Sequence, residues 1–370
     1  MKIKLQFLLL LFCSFLSFGQ NYPLSPEAKI SILTCGSGEE LHSIFGHTAI
    51  RIQDNSRGVD AVYNFGMFDF DTPNFYLKFV KGDLEYHVGK GSFEGFMYSY
   101  RMENRSVYEQ ELNLSPIQQQ QLVDNLEKML YSDERFYIYK FIDKNCTTMV
   151  VDQINNQLEK PAIEKVGDTT ESYRHVLNPF MDNLFYQKLG INIMFGYRTD
   201  KSAEQLFLPI ELLKSLEVTK TNNELIAKKT TVLFEQDNSL HSKSWWNSIY
   251  TFILFLVLIL ISNKNKVYLT FLVIVGLLGI FLSTVGFFSL HREISQNYNV
   301  LLFNPFLIGI VISFVKKNVV WFNRFFYFVL FCFVAYLLFI LNKAHLFLML
   351  PMMILVVLIL LRLRIRLLKS

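Results

Sequence analysis

The polar and apolar positions divide the chain into two parts of different character. Up to about residue 244, short apolar runs alternate with polar residues, a pattern typical of half-buried strands and amphipathic helices. From Trp245 onward, long apolar blocks follow one another with only short polar breaks. Because a helix needs about 20 apolar residues to cross a bilayer, the pattern predicts a polar folded domain followed by a membrane domain.

Residues 21–244 predict a mixed α+β domain. Alternating apolar positions indicate strands, and clusters of Gly, Asn, Asp and Pro indicate the turns between them. The predicted strands, of which the second and third pair directly, cover residues 30–35, 48–53, 59–65, 83–88 and 106–114. Helices are predicted at residues 39–45, 73–81, 92–104 and 115–130, and another begins at Cys146. The stretch 160–244 has weaker patterns.

Residues 245–370 predict an all-α domain of about five transmembrane helices. Trp245, Trp246 and Tyr250 lie at the start of the first span, as aromatic residues do at a membrane interface. The third span is short and is compatible with a tilted or partly interfacial segment. The predicted spans cover residues 247–262, 267–290, 300–315, 320–341 and 345–361.

The first twenty residues predict a signal peptide, residues 1–20, because two lysines precede a short apolar run that ends at Gly19-Gln20. Export of the polar domain would place it in the periplasm and leave the C-terminus in the cytoplasm of a multi-pass bacterial inner-membrane protein. The same orientation puts most loop cations on the cytoplasmic side, as the positive-inside rule requires. These cations are Lys264, Lys266, Lys316, Lys317, Arg324, Arg362, Arg364, Arg366 and Lys369.

Composition supports a membrane protein and argues against a nucleic-acid partner. Hydrophobic residues make up 51% of the chain, including 36 Phe, while the net charge is only +4. No basic stripe with interleaved aromatic residues occurs in the polar part. Only Cys35 and Cys146 lie in the exported region, too few for a disulfide scaffold, although one pair between them remains open.

Cys146 and His47 are the candidate catalytic pair. Asn145 is a good N-cap, so Cys146 would occupy the first position of a helix, where amide groups and the helix dipole favour a thiolate. His47 stands before a predicted strand and would act as the base. Asn64, on the next strand, is the first choice to orient the imidazole, with Asp69 and His87 as alternatives.

Other interpretations of the same residues stay open. Cys146 and His47 could be a buried thiol and a core histidine, and Cys35, followed by Gly36-Ser37-Gly38, is a rival nucleophile. Glu39, Glu40, His42 and His47 cluster like metal ligands, but no HExxH spacing accompanies them, so we expect no metal.

The polar loop 291–299, between two apolar spans, is a further candidate. It is either a solvated loop or a contact for a lipid headgroup or another substrate. His291, Asn297 and Asn299 are its candidate contact residues.

The motifs resemble two related groups of proteins. Phe45-Gly46-His47-Thr48-Ala49-Ile50-Arg51, followed by Asn145-Cys146-Thr147-Thr148, is similar to the permuted papain-like superfamily, which includes NlpC-type hydrolases and the lecithin:retinol acyltransferase group. The whole order of motifs resembles the Bacteroidetes-type lipoprotein N-acyltransferase family (Lnb). The motifs that carry this second resemblance are Cys35-Gly36-Ser37-Gly38, Tyr63-Asn64-Phe65-Gly66, Asp69, and Asn297-Tyr298-Asn299 near Asn304-Pro305.

The resemblance implies a fold, an activity and partners. The fold would be an exported permuted papain-like α+β domain, and the activity would be transfer of an acyl chain from a membrane phospholipid, through a thioester on Cys146, to the N-terminal amine of a diacylglyceryl-cysteine lipoprotein. No cofactor is implied. Asn145 and Arg51 lie within the matching motifs and are further candidates for orienting or contacting substrate.

Two other functions fit the residues less closely. A periplasmic Cys-His peptidase or cell-wall hydrolase would use the same pair with water as the acceptor. A non-enzymatic envelope assembly factor would use the exported domain only for binding.

Overall fold

A computed structural model describes residues 23–160, 162–237, 239 and 244–369. The predicted signal peptide lies outside the described residues. The N-terminal part is a domain of mixed α and β structure built on a seven-stranded antiparallel sheet, and a helical region follows it. The fold class predicted from the sequence is therefore confirmed.

The sheet orders its strands β6-β4-β3-β2-β1-β5-β9, and β7 and β8 form a separate ladder. The strands are β1 Lys29–Cys35, β2 His47–Asp54, β3 Val59–Met67, β4 Glu85–Ser92, β5 Val107–Glu111, β6 Phe136–Ile138, β7 Lys220–Thr221, β8 Glu224–Leu225 and β9 Thr231–Phe234. The predicted pairing of the second and third strands is confirmed by β2 and β3, in which Ala49 lies opposite Asn64.

Helices pack on both faces of the sheet and make up most of the membrane part. The α-helices are α1 Phe75–Lys81, α2 Phe93–Met102, α3 Pro116–Leu130, α4 Cys146–Asn155, α5 Tyr173–Leu177, α6 Phe185–Met194, α7 Pro209–Val218, α8 Ile249–Ser262, α9 Asn265–Phe288, α10 Phe306–Val315, α11 Val319–Ile340 and α12 Leu346–Lys369. One face of the sheet packs on α3 and α4, whose buried Leu122, Leu126, Val150 and Ile154 form its main core. The opposite face packs on Phe93 and Phe96 of α2.

The helix predicted at residues 39–45 is wrong. The structure has a series of turns there, closed by hydrogen bonds from Ser43 N to Glu40 O (2.8 Å) and from Gly46 N to Ser43 O (3.0 Å). These bonds span three residues, and Gly38 N closes the segment by donating to Ser43 O at 2.9 Å. Because these bonds hold both ends of the segment, its backbone does not form the successive i to i−4 hydrogen bonds of an α-helix.

The membrane part has four segments that are long and apolar enough to cross a bilayer, residues 265–288, 292–315, 319–340 and 346–369. The first predicted span is the shorter helix α8, whose 14 residues extend about 21 Å at 1.5 Å per residue, less than the roughly 30 Å of a hydrocarbon core. The last helix continues to Lys369 rather than ending near residue 361. Segment 292–315 contains two 3-10 turns before α10, because Pro305 and the Asn residues before it interrupt a continuous helix.

A buried polar network joins the two parts. Arg174, only 1% exposed, donates to Asp200 (2.8 Å), to the Asn192 side chain (3.0 Å) and to the Tyr298 hydroxyl (3.3 Å). Tyr298, from the membrane part, donates in turn to Asp200 at 2.6 Å. Lys343 adds a second cation 3.5 Å from the same carboxylate. Polar groups buried this deeply are costly unless paired, so the network fixes how the parts dock.

Candidate active site

Cys146 is the first residue of α4, as the sequence predicts. Asn145 caps the helix: its side chain accepts from Thr148 N (3.0 Å), and the Thr148 hydroxyl accepts from Asn145 N (2.8 Å). The Asn145 amide also donates to the carbonyls of Phe141 and Phe207, both at 2.8 Å. Both ends of its side-chain amide thus bond to backbone groups, so Asn145 positions the helix start. It also lines the cavity described below.

His47 is the first residue of β2 and follows Gly46, which has a φ of +83°. A Cβ on Gly46 would lie 2.5 Å from the carbonyl oxygen of Cys35 on the neighbouring strand. Glycine is therefore required both for the left-handed backbone and for the close approach. This turn places the imidazole at the N-terminal end of the central strand β2, near the start of α4.

Thr48 ties the strand to the helix, because its hydroxyl lies 3.1 Å from that of Thr147. His47 lies close enough to the Cys146 thiol for its charge to act on the sulfur. Burial would raise the pKa of Cys146, but the charge of His47, its hydrogen bond and the bonds from Thr48 N–H and the Thr147 hydroxyl together lower that pKa below the ordinary thiol value. A lowered pKa is what a thiol nucleophile requires.

Asn64 lies beside His47, with 3.1 Å between His47 Nε2 and Asn64 Oδ1. When Nε2 carries a proton it donates to this oxygen, which fixes the ring and leaves Nδ1 for the thiol. The register of β2 and β3 explains the contact, since Asn64 pairs with Ala49, two residues after His47. The three residues expected to form the site are therefore brought together.

Cys35 occupies a different environment, although it lies directly opposite His47 in the sheet. It is 1% exposed, and burial raises its pKa to about 12 despite a hydrogen bond from Tyr100 and the charge of Arg105. Its thiol therefore stays protonated at neutral pH and is a poor nucleophile. In the described part of the chain Cys35, Cys146 and Cys332 are all free, so the pairing of Cys35 with Cys146 is not formed.

A cavity of about 870 Å³ opens onto the pair. Its size lies within the roughly 300–1,000 Å³ that small-molecule sites occupy. The N-terminal sheet domain and the membrane part both supply walls of the cavity, and these walls are mostly apolar and aromatic. Lining residues include Phe45, Phe65, Tyr139, Phe141, Phe207, Tyr186, Ile191, Met194, Trp246 and Ile294 around His47 and Cys146.

Two parts of this wall were missed from the sequence. Tyr139 stacks on Tyr86 with 4.6 Å between ring centroids, and burial holds its pKa well above the usual tyrosine value. Helix α6 lines the other side, although residues 160–244 gave no clear pattern there. The apolar spacing of Phe185, Leu189 and Ile193 is the feature that could have revealed it.

Asp69 and His87 do not orient His47. Asp69 is exposed and accepts from Asp71 N at 2.9 Å, as in a turn. His87 packs beside Phe136, with 6.1 Å between ring centroids, and burial and Arg135 lower its pKa. Neither side chain lines the cavity.

Arg51 is not a substrate contact. Its guanidinium pairs with Asp60 (2.7 Å) and Glu109 (3.0 Å) and lies 3.3 Å from the centre of the Phe93 ring. Phe93 belongs to α2, on the face of the sheet away from α4. Arg51 therefore stabilises the sheet.

The residues of the loop 291–299 have two different roles. His291 lines the cavity and lies 2.8 Å from the carbonyl oxygen of Phe79. Asn297 donates to the carbonyls of Ile193 and Met194, both at 2.8 Å, and Asn299 donates to Ile193 at 2.9 Å. Both asparagines are buried. They cap the end of α6 instead of meeting a headgroup, because that helix end has unpaired carbonyls.

Glu293, two residues after His291, also lines the cavity. It is 2% exposed and pairs with Arg198 (3.3 Å), which also binds Asp143, three residues before the nucleophile. This bridge ties the loop that carries Cys146 to the membrane part. Among the residues that the structure describes, no three His, Cys, Asp or Glu side chains are grouped to hold a metal.

A comparison with known protein families identifies the N-terminal part of the chain. Residues 19–178 match the family model described as the Lnb N-terminal periplasmic domain, which includes His47, Asn64 and Cys146. No curated protein and no solved structure matches the chain. With its apolar helices, the protein is a membrane protein with a periplasmic domain. Over residues 19–178, the chain therefore carries the N-terminal periplasmic domain of the Lnb family.

Proposed function

We propose that the protein is a membrane-bound lipoprotein N-acyltransferase that carries the acyl chain as a thioester on Cys146. The observation that carries this proposal is the position of the Cys146–His47 pair on an apolar cavity walled by both the periplasmic domain and the membrane part. A soluble substrate needs no such wall. An acyl chain that starts in a bilayer does.

In the first half-reaction His47 takes the thiol proton, and Cys146 Sγ attacks the carbonyl carbon of a phospholipid ester. The tetrahedral intermediate collapses by breaking the bond to the glycerol oxygen, which receives the proton from His47. A lysophospholipid leaves, and the acyl chain stays on sulfur. Amide groups of the first turn of α4 are suited to stabilise the oxyanion, since they point out of the helix start.

In the second half-reaction the α-amine of a diacylglyceryl-cysteine attacks the thioester carbonyl. His47 accepts the amine proton as the bond to Cys146 breaks, which returns the pair to its starting state. An amide is more stable than a thioester, so transfer runs forward. The apolar walls exclude water, which would otherwise hydrolyse the thioester.

The proposal includes a location. The protein would lie in the bacterial inner membrane, with its C-terminus in the cytoplasm. This orientation needs α8 to cross the bilayer together with the residues that flank it, and the cations after α8 and in α12 then obey the positive-inside rule. Phospholipid and lipoprotein would both reach the cavity from the leaflet that faces the periplasm.

The test is mass spectrometry of lipoproteins from cells that depend on this chain. Cys146→Ala and His47→Ala should each leave the N-terminal amine free, whereas the matched control Cys35→Ala should leave N-acylation intact because that thiol takes no part. Full N-acylation with Cys146→Ala would refute the mechanism. A cell-wall hydrolase would leave lipoproteins acylated while wall fragments change, and an assembly factor would tolerate Cys146→Ala in every readout.

A further inference from the structure

Helix α1 presents an unusual amount of apolar surface. It contains no buried residue, and Tyr76 and Leu77 are 80% and 68% exposed. The turn before it adds Phe70, which is 63% exposed. A contiguous apolar surface of this kind on a folded domain marks a contact site.

The surface is ordered by ring contacts. Phe70 lies 5.0 Å from both Phe68 and Phe75, measured between ring centroids. Phe75 stacks on Phe79 at 6.3 Å. Phe68 and Phe79 also line the cavity, so the surface outside and the cavity wall are continuous.

The C-terminal end of α1 is fixed to the membrane part. Leu290 N donates to the Lys81 carbonyl at 2.7 Å, and the Ser289 hydroxyl donates to the Val80 carbonyl at 2.9 Å. Gly82, with a φ of +75°, allows His291 to approach, since a Cβ there would lie 3.0 Å from the ring. Helix α1 therefore sits at the end of α9, where that helix leaves its membrane-spanning stretch.

The end of α9 is itself apolar and open. Phe287 and Phe288 are 85% and 73% exposed, and Leu290 is 51% exposed. Phe287 and Phe288 end a candidate membrane span, so in a bilayer their exposed rings would face lipid, and Leu290 follows directly after the span. The exposed face of α1 continues this lipid-facing surface through the hydrogen bonds to residues 289–291.

We propose that α1 and the turn at residues 68–70 are immersed in the bilayer interface, in the leaflet at the end of α9, and that they form the rim between this leaflet and the cavity. The occupant is the lipid surface, because the patch extends the surface that already meets lipid. An amphipathic helix lying in the interface plane binds in this way. The contact with lipid is independent of any chemistry, while the use of the rim for acyl-chain access rests on the proposed function.

The direct test places a nitroxide label at Leu77→Cys in the full chain, reconstituted in phosphatidylethanolamine and phosphatidylcholine vesicles. Cys146→Ala serves as the background, and the unsubstituted background chain is the labelling blank. The matched control is Ile117→Cys, which is 71% exposed at the start of α3, a helix that packs on β4 and residues 133–135.

We expect the label at residue 77 to collide several-fold more with oxygen than with a water-soluble nickel chelate, and the label at residue 117 to show the reverse. Equal behaviour at the two positions would overturn the proposal. Spin–spin broadening at residue 77 would also overturn it, because a second copy of the chain would then cover the patch.

A second measurement tests the rim. Leu77→Glu places a charge on an exposed position, so the unfolding temperature in detergent should not change. Acyl transfer from bilayer phospholipid should fall, while alkylation of Cys146 by iodoacetamide should keep its rate. If the unsubstituted chain transfers no acyl group, the proposed function fails, but the nitroxide result still decides the membrane contact. Unchanged acyl transfer by Leu77→Glu would refute the rim.

Discussion

Removing the Asn64 side chain should raise the pKa of Cys146. In the structure Asn64 Oδ1 lies 3.1 Å from His47 Nε2, and the charge of His47 lowers the pKa of the thiol. Asn64→Ala removes a hydrogen bond to the charged imidazolium, worth about 1.5–3 kcal/mol. Since one pKa unit corresponds to 1.36 kcal/mol, the pKa of Cys146 should rise by about 1–2 units. The rise is bounded above because the thiol keeps its bonds to Thr48 and Thr147.

The assay is the rate of Cys146 alkylation by iodoacetamide as a function of pH, followed by mass spectrometry of the peptide. The reaction of Asn64→Ala should reach its half-maximal rate at a pH higher by that amount. Asn155→Ala is the matched control, because Asn155 is a partly buried asparagine near the other end of α4 whose side chain also binds backbone. An unchanged pH profile in Asn64→Ala, or an equal shift in Asn155→Ala, would refute the assignment of Asn64 as the positioning residue.

Two further substitutions test the frame of the site. Arg174→Met leaves the Asp200 carboxylate buried without its closest cation. The free energy of unfolding should fall by about 3–5 kcal/mol, which lowers the unfolding temperature in detergent by roughly 6–20 °C. The control Lys188→Met, at an exposed ion pair, should change the unfolding temperature by less than about 3 °C. Gly46→Ala forces the chain beside Cys35 to move and should reduce Cys146 alkylation at pH 7 at least about tenfold, whereas Gly58→Ala, which has a φ of +65° and open space around it, should retain the rate.

The reacting residues of the site could be predicted because the few residues next to each one in the sequence specify its local structure. Asn145 before Cys146 specifies a helix start, and Gly46 before His47 specifies a turn into a strand. The hairpin that places Asn64 beside His47 follows from alternation alone. The strongest sequence patterns thus coincide with the elements that carry the reacting groups.

The cavity could not be predicted in the same way. Its second wall comes from α6, whose apolar residues face the membrane part instead of the core of its own domain. The packing of α6 against the membrane part also explains why Asn297 and Asn299 were misinterpreted. A polar residue between apolar spans can contact a ligand or cap a buried helix end, and only the position of α6 decides between these roles. Arg51 was misassigned because its place in the matching motif does not reveal that its guanidinium pairs with Asp60 and Glu109.

By chain order α6 belongs to the periplasmic domain, but Asn297 and Asn299 hold its end. A chimaera that joins the periplasmic domain of one family member to the membrane part of another at residue 244 would therefore separate these donors from the carbonyls they evolved to meet. Even if each half folds, the cavity would lose the wall that α6 forms. The unit of exchange is the stretch 185–300, which has to be inherited or engineered as one piece.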